Sequence, residues 1–260
     1  VDIAYTYTTP ILGDYDFDSK ITYNDLWDLV ENWEMKNFNY ELGPVSGQVP
    51  HFISIPDSKF DIEDGMAFVQ IWSWYQKEYG QIVEDTVMIG KPLNIAQLGN
   101  ELSIFIDDSI ASGQIQFINN HTDSRLRFST KSYDGAMYLS HQNPEKGYSI
   151  LEFARPKSMA KDTIHVTADE ESKLKIYYKF YGRDKKEIQR GHTSFKYSTI
   201  PTTLDLYPAY PNPFNPITTL QFDIPHLENT EKVSLSIFDL MGREIAVSYT
   251  HLTLPTSRSV

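Results

Sequence analysis

The stretch Asp14-Tyr-Asp-Phe-Asp-Ser-Lys-Ile-Thr-Tyr-Asn-Asp25 decides how the N-terminal part of the chain folds. Counted from Asp14, residues able to supply oxygen ligands fall at positions 1, 3, 5, 7, 9 and 12. This spacing lets one loop place about six to eight oxygens around a hard cation, the arrangement that calcium prefers. The pattern therefore predicts a calcium site. Its predicted ligands are Asp14, Asp16, Asp18, Lys20 (through its carbonyl), Thr22 and Asp25.

The loop resembles the calcium loop of EF-hand proteins, with two departures. Ser19 occupies position 6, where the sharp turn normally has glycine, and Asp25 replaces the longer glutamate at position 12. An aspartate at position 12 is typical of dockerins, which carry two such loops, each followed by a helix. The resemblance therefore implies a second copy and a fold that calcium stabilises. The alternative is that Asp14, Asp16 and Asp18 form only a solvated acidic turn.

A second copy lies 39 residues further along the chain. Asp57-Ser58-Lys59-Phe60 matches Asp18-Ser19-Lys20-Ile21, and a later aspartate and tryptophan match as well. The duplication predicts a repeated loop and helix, and the resemblance to a dockerin pair covers about residues 13–80. At this offset the first two ligand positions fall on Ile53 and Ile55, so the second site is degenerate. Its remaining candidate ligands are Asp57, Asp61 and Asp64.

The apolar pattern predicts one helix after each loop. In residues 23–36 and again in 62–79, apolar residues recur at spacings of three and four, so each helix has one apolar face. Gly80 is placed to end the second helix. The segment 37–56 is rich in glycine and proline and is predicted to be a loop. All four tryptophans lie in these helices, which favours a packed core over a sugar-binding platform. The predicted faces are Leu26, Trp27, Val30 and Trp33, then Met66, Val69, Trp72 and Tyr75 or Gln76.

From Thr86 to Thr199 the apolar pattern changes to a period of two, with clusters of turn residues between short segments. This pattern predicts an antiparallel β-sandwich of the immunoglobulin-like or cohesin-like kind. The predicted fold class is mainly β with a small α module. The predicted domains are the end of a preceding domain or a linker at 1–12, the helix pair at 13–80, the sandwich at 86–200 and a partial C-terminal β-sandwich at 204–247. The predicted strands of the sandwich are 101–107, 114–119, 148–154, 163–167 and 173–181.

The chain changes character again from Leu204. Residues 207–216 (Y-P-A-Y-P-N-P-F-N-P) contain four prolines, and two strand-like segments and Met241-Gly-Arg-Glu244 follow. This order resembles the first half of the C-terminal sorting domain of the type IX (Por) secretion system. The resemblance implies export through the outer membrane of a Gram-negative bacterium, often followed by attachment to the cell surface. Residues 248–260 fit neither this family nor a clean strand pattern, so we expect a non-native tail there.

Composition narrows the function classes. The 260 residues carry a formal charge of −12, which argues against nucleic acid as a partner. The sequence has no cysteine for disulfides or thiolate metal sites, and no apolar run reaches the ~20 residues of a membrane span. No two histidines have a metal-binding spacing, and neither a nucleophile elbow nor a phosphate loop occurs. The sequence predicts a non-catalytic chain, and any catalytic domain of the whole protein is expected before Val1.

Together these patterns predict the non-catalytic C-terminal region of a secreted or cell-surface bacterial protein that serves interaction or adhesion. The predicted cofactor is Ca²⁺. The predicted partners are the type IX secretion machinery, a cohesin-like or neighbouring β-sandwich domain, and polysaccharide. Two alternatives stay open: an accessory region of an extracellular glycosidase or peptidase, and a true dockerin that binds a cohesin. Loop positions 10 and 11, Tyr23-Asn24 and Ile62-Glu63, lack the small hydroxyl pair usual in dockerins. Docking on the chain's own sandwich is therefore an equal alternative.

Overall fold

The computed structural model describes residues 11–82, 84, 87–119, 125–130, 135–157, 161–199, 204–213, 216–225 and 232–251, with side chains of the last segment only at 234–246. The described residues form two compact units, one up to Thr199 and the other beyond it. The predicted linker up to residue 10, part of the proline motif (214 and 215) and the tail from 252 lie outside the described residues.

Within the described residues the first unit contains two α-helices, one 3-10 turn and eleven strands. The helices are α1 (Tyr23–Met35) and α2 (Ile62–Tyr79), with the 3-10 turn at Phe38–Tyr40. The strands are β1 (Val45–Ser46), β2 (Ile53–Ser54), β3 (Ile95–Leu98), β4 (Glu101–Ile106), β5 (Ser112–Asn119), β6 (Leu126–Thr130), β7 (Met137–Asn143), β8 (Tyr148–Ala154), β9 (Asp162–Ala168), β10 (Ser172–Tyr181) and β11 (Glu187–Tyr197). Neither helix has the length and apolar content that crossing a membrane requires.

Each helix begins at a capping box, in which two side chains satisfy backbone N–H groups that the first turn leaves unpaired. The Thr22 hydroxyl accepts a hydrogen bond from Asn24 N–H, and the Asp25 carboxylate accepts one from Thr22 N–H. Asp61 and Asp64 cap α2 in the same way. Both helices therefore start where the loop pattern predicted.

Gly80 ends α2 at the predicted position, because of close packing and not because of a left-handed turn. Its φ is −55°, which any residue can adopt. A Cβ at this position would lie 2.1 Å from the carbonyl oxygen of Gln76 and 2.2 Å from the hydroxyl oxygen of Tyr148. The end of α2 therefore approaches β8 too closely for any side chain.

The buried face of α1 follows the prediction, whereas that of α2 is displaced. Trp33 is half-buried, and the other three residues of the α1 face are buried. Met66 is 48% exposed, because α2 packs on β7 and turns Phe68 inward instead. The buried apolar residues of α2 are Ala67, Phe68, Ile71 and Trp72.

Among the described residues, nine strands form the β-sandwich. The five-stranded sheet has the order β11-β10-β5-β8-β7, and the four-stranded sheet has the order β3-β4-β9-β6, both antiparallel. Alternate residues of β10, such as Leu174, Ile176 and Phe180, are fully buried in the core between the sheets. The fold is therefore mainly β, as the sequence predicted, and β3, β6, β7 and β11 are added to the five predicted strands.

A second core lies on the outer face of the five-stranded sheet. Both helices pack there, α1 on β5 and β8 and α2 on β7. Leu26 and Trp72 from the helices share this core with Leu139 and Ile150 from the sheet. The helix pair and the two sheets are consequently three layers of one compact unit.

The second unit contains β12 (Asp205–Leu206), β13 (Phe222–Asp223), β14 (Lys232–Phe238) and β15 (Glu244–His251) among its described residues. β12 pairs with β13, and β14 forms a hairpin with β15. Asp239 closes the hairpin turn by accepting hydrogen bonds from Met241 and Arg243 N–H. β15 continues through residues 248–251, where the sequence pattern predicted no strand, because backbone pairing with β14 does not require alternating side chains.

Candidate metal centre

Asp14, Asp16 and Asp18 gather in the turn before α1. Each offers a carboxylate oxygen, and these atoms all lie within 4.8 Å of one another. Asp14 is buried, whereas the other two are exposed. Oxygen atoms at this spacing suit a hard cation such as calcium. Among the described residues no other group of three or more acidic or histidine side chains meets this condition.

Backbone N–H groups hold the loop around Asp14. Its Oδ1 accepts from Asp18 N–H at 3.2 Å and its Oδ2 from Ser19 N–H at 3.0 Å. Asp18 Oδ1 in turn accepts from Lys20 N–H at 2.8 Å. Ser19 has a φ of 65°, so a serine adopts the left-handed turn at the position where glycine is usual. These contacts bend the chain so that the three carboxylates share one centre.

Asp25 takes a different place from Asp14, Asp16 and Asp18. It is fully buried, with Oδ1 accepting from Tyr15 N–H at 2.8 Å and Oδ2 from Thr22 N–H at 2.9 Å. Asp25 therefore ties the start of the loop to the start of α1, and it lies outside the close group of carboxylates. Thr22 uses its hydroxyl for the helix cap, and Lys20 places its ammonium 3.9 Å from Asp18.

The charges of the loop are costly without a counter-ion. Burial raises the pKa of Asp25 to about 7, against the lowering effect of its backbone N–H donors, and the charges of Asp16 and Asp14 raise it further. Burial also raises the pKa of Asp16, and the charges of Asp18 and Asp14 add to the rise. A divalent cation at the centre would favour the ionised form of every one of these groups.

The second loop repeats this backbone arrangement around another acid. Glu41 is 6% exposed, and its carboxylate accepts from the N–H groups of Asp57 and Ser58, as that of Asp14 does in the first loop. Ser58 has a φ of 62°, close to that of Ser19. The two loops are therefore related in structure as well as in sequence.

Asp64 is the counterpart of Asp25. It is 1% exposed, and its Oδ1 accepts from Leu42 N–H and Gly43 N–H, both at 2.8 Å. Its Oδ2 accepts from Asp61 N–H at 2.8 Å. Asp25 accepts from the N–H of the residue after Asp14, and Asp64 accepts from the N–H of the residue after Glu41. Glu41 therefore corresponds to Asp14, and the second loop starts at Glu41.

This start corrects the alignment that placed Ile53 and Ile55 at the first ligand positions. Ile53 is 66% exposed in β2, and the hairpin of β1 and β2 is inserted between Glu41 and Asp57. The first acid precedes the Asp-Ser-Lys motif by four residues in the first loop and by sixteen in the second. A fixed offset could not find Glu41, and an acid followed by an apolar residue is too short a signal to search for alone.

The candidate ligands of the second loop make contacts that stabilise the fold. Asp57 lies 2.6 Å from the ammonium of Lys59, and Asp61 caps α2 by accepting from Glu63 N–H at 2.9 Å. Asp64 has both oxygens on backbone N–H groups. Within the described part of the chain these three side chains form no close group of ligand atoms.

A buried acid between α2 and the sheet was missed by the sequence reading. Glu152 is fully buried, with Trp72 Nε1–H donating to one oxygen at 2.7 Å and Gln114 Nε2–H to the other at 2.9 Å. Burial raises the pKa of Glu152 to about 8, against the lowering effect of these two donors. The sequence feature that could have identified Glu152 is that it is the single charged residue in the strand Tyr148–Ala154.

The tryptophans serve packing for the most part. Trp27 and Trp72 are each 2% exposed and belong to the core over the sheet. Trp33 is half-buried and stacks on Phe60, with ring centroids 5.7 Å apart. Trp74 is half-buried and meets the edge of the Tyr79 ring.

Comparison with known proteins gives a likeness of fold alone. No protein-family model and no curated protein matches the chain. Among solved structures, it is similar to a cohesin module of a family 33 glycoside hydrolase from Clostridium perfringens ATCC13124, with 13% identity and a TM-score of 0.31, over 44% of this chain and 98% of that chain. It is also similar to BcpA*(D312A), the major pilin subunit of Bacillus cereus, with 9% identity and a TM-score of 0.22, over 66% of each chain.

Proposed function

We propose that the chain is a non-catalytic interaction or adhesion module of a secreted or cell-surface protein, and that calcium stabilises it. The observation that carries this proposal is the group of Asp14, Asp16 and Asp18, whose ligand oxygens lie within 4.8 Å of one another. The loop that holds them leads directly into α1, which packs on the sandwich. Calcium would thus act on the stability of the helix layer.

Calcium bound by these three carboxylates would offset their mutual repulsion and fix the turn that starts α1. The metal-binding free energy would then add to the folding free energy of the first unit. Extracellular EF-type modules bind calcium at roughly 0.1–1 mM. Such a site would be filled outside the cell and empty inside it, so folding would be completed after export.

Calorimetry tests the proposal directly. The full chain is melted with calcium and then with EDTA, and calcium binding is measured separately by isothermal titration. We expect one ion per chain and a higher melting temperature of the first unit in calcium. Equal melting curves, together with a flat titration, would reject the calcium site.

The helix pair is proposed to dock on its own sandwich and not on a separate cohesin. This is supported by Leu26, Phe68 and Trp72, whose side chains are already buried in the core over the five-stranded sheet. A pull-down that offers the full chain a purified cohesin module tests the choice. We expect no capture in calcium, whereas capture at micromolar concentration would favour the true dockerin.

The export part of the proposal rests on the proline motif and the short strands that follow it, which resemble a type IX sorting domain. A reporter fused to residues 204–247 is expected to leave the cell in a bacterium that has this secretion system. Replacement of Pro211 and Pro213 by serine should reduce that export. Retention of the unaltered fusion in the periplasm would contradict this assignment.

A further inference from the structure

The part of the outer face formed by β10 and β11 is basic in a chain of net charge −12. Residues of β10 alternate, so that Leu174 and Ile176 enter the core while the lysines beside them point outward. The outward cations of the two strands are Lys173, Lys175, Lys179, Arg190 and Lys196. We call Lys173, Lys175, Tyr177, His192, Ser194 and Lys196 the basic strip.

Two pairs of like charges face each other across these strands. Lys179 lies opposite Arg190, but Glu187 forms ion pairs with both. Lys173 lies directly opposite Lys196, a placement that costs stability unless an anion is near. No ion pair between described residues includes Lys173, Lys175 or Lys196. A bound anion would therefore remove a repulsion that the fold otherwise keeps.

Two aromatic rings lie in the middle of the basic strip. Tyr177 stacks on His192 across the strands, with ring centroids 5.8 Å apart and planes 28° apart. His192 and Ser194 are exposed and Tyr177 is half-buried. An aromatic ring offers an apolar surface together with a polar atom at its rim, which suits a partner that carries both C–H faces and hydroxyl groups.

The composition of the surface argues against a protein as the partner. Protein interfaces draw most of their energy from apolar and aromatic anchors that become fully buried. Among the described residues from Ser172 to Tyr197, no large apolar side chain is among the exposed ones. A hydrophilic polyanion needs no such anchors, because ionic contacts and ring stacking suffice.

We propose that the basic strip binds an anionic polysaccharide. The carboxylate or sulfate groups of the chain would pair with Lys173, Lys175 and Lys196, and a sugar ring would lie on the pair of Tyr177 and His192. This inference rests on the proposed interaction role and names its ligand class. It does not use the calcium loop, which lies on another layer.

Binding of the full chain to dextran sulfate tests the proposal, with uncharged dextran as the matched polymer and calcium present throughout. The triple variant Lys173→Gln/Lys175→Gln/Lys196→Gln is expected to bind dextran sulfate about tenfold more weakly, since each exposed ionic contact contributes a modest amount. The matched control removes three exposed lysines from other surfaces. These are Lys36, Lys77 and Lys91, each changed to Gln.

Binding of dextran sulfate but not dextran, weakened by the first triple variant only, supports the proposal. An equal loss in both triple variants would overturn it, because the effect would then be one of net charge. No binding, or tighter binding of poly-L-glutamate than of dextran sulfate, would also overturn it, the latter in favour of an acidic protein. Calcium-dependent melting is measured separately, so failure of the calcium proposal and failure of this one remain distinguishable.

Discussion

The two acidic loops of the first unit have the same contacts to backbone N–H groups but differ in the number of carboxylates that could bind a metal. In each, a buried acid (Asp14 or Glu41) accepts from two successive N–H groups, and a second buried acid (Asp25 or Asp64) ties the loop to the next helix. The first loop adds two more carboxylates around Asp14. The second loop keeps Asp57 at the position of Asp18, but the inserted hairpin lies where the counterpart of Asp16 would come.

This difference distinguishes two parts of such a loop. One is the set of side-chain contacts to backbone N–H groups that shapes the loop, which we call its frame, and the other is the set of side chains that bind the metal. The buried acid at the helix start acts on backbone N–H groups and is needed by both loops, whether or not a cation is bound. The exposed acids Asp16 and Asp18 each accept a single backbone N–H inside the loop, so their loss should disturb the frame less. Substitutions can therefore be chosen that damage the frame or the ligand set separately.

The largest effect is expected from loss of the frame of the second loop. Asp64→Ala leaves three backbone N–H groups without their acceptor in a buried place, which should lower the free energy of unfolding by about 4 kcal/mol. The loss should be equal in calcium and in EDTA. Urea unfolding followed by tryptophan fluorescence measures it.

The control for this variant is Asp57→Ala in the same loop. Asp57 pairs with Lys59 at the surface, so its loss should cost far less than the loss of Asp64. If Asp64→Ala costs no more than Asp57→Ala, the frame role assigned to the buried acid is wrong.

The second prediction concerns the anchor of α2 on the sheet. The pKa of Glu152 is about 8 in the folded protein, against an ordinary value of 4.5, so the folded state holds a proton that the unfolded state releases. The stabilisation is complete below pH 4.5 and is lost as the pH rises through 8. Stability should thus fall by up to about 1.4 kcal/mol for each pH unit in this window.

Glu152→Gln removes this titration while keeping the size of the side chain. The difference in unfolding free energy between the two proteins, measured from pH 4.5 to 8, reports the titration of Glu152 together with its coupling to Asp25, whose charge contributes to the raised pKa of Glu152. A difference that stays constant across the window would show that Trp72 and Gln114 hold an acid of ordinary pKa.

The parts of this unit that sequence reading could predict are those encoded locally. The spacing from Asp14 to Asp25 fixes the first loop, and the capping residues fix where both helices start. The sequence pattern does not reveal Glu41, because an inserted hairpin separates it from the Asp-Ser-Lys motif. The strands β7 and β11 were not predicted, because they lie at sheet edges. Both faces of an edge strand carry polar residues, so the alternation of apolar and polar residues is weak there.

The local sequence pattern does not specify where the helices dock, for a related reason. An apolar stripe indicates that one face of a helix is buried, but it does not indicate which element that face packs against. The stripe of α2 was therefore placed one residue away from Phe68, and Met66 was expected inside. Contacts between residues far apart in the chain, such as that of Trp72 with Glu152, identify the surface that α2 covers.

The third prediction tests the ligand set of the first loop. At 10 mM calcium, a site with a dissociation constant of roughly 0.1–1 mM stabilises the folded state by about 1.4–2.7 kcal/mol. Asp16→Asn should abolish most of this gain, because Asp16 is exposed and its loss leaves the frame around Asp14 intact. Unfolding with and without calcium measures the gain in each protein.

Asp57→Asn is the matched control, since it removes an acid from the related loop. It should keep the full calcium effect. Equal calcium gains in the Asp16 and Asp57 variants would place the ion elsewhere.

The smallest effect is expected at the anchor of α1. Tyr23 stacks on Tyr181 of β10 with ring centroids 5.0 Å apart, and the two hydroxyl oxygens lie 2.8 Å from each other. Tyr23→Phe keeps the stacking and removes only this hydrogen bond, so it should cost about 1 kcal/mol. Tyr79→Phe is the control, because Tyr79 is 55% exposed and should change stability by less than about 0.5 kcal/mol. If both variants unfold alike, the hydrogen bond between the two tyrosines adds nothing, and α1 is held on the sheet by apolar burial, ring stacking and the ion pair of Asp28 with Lys185.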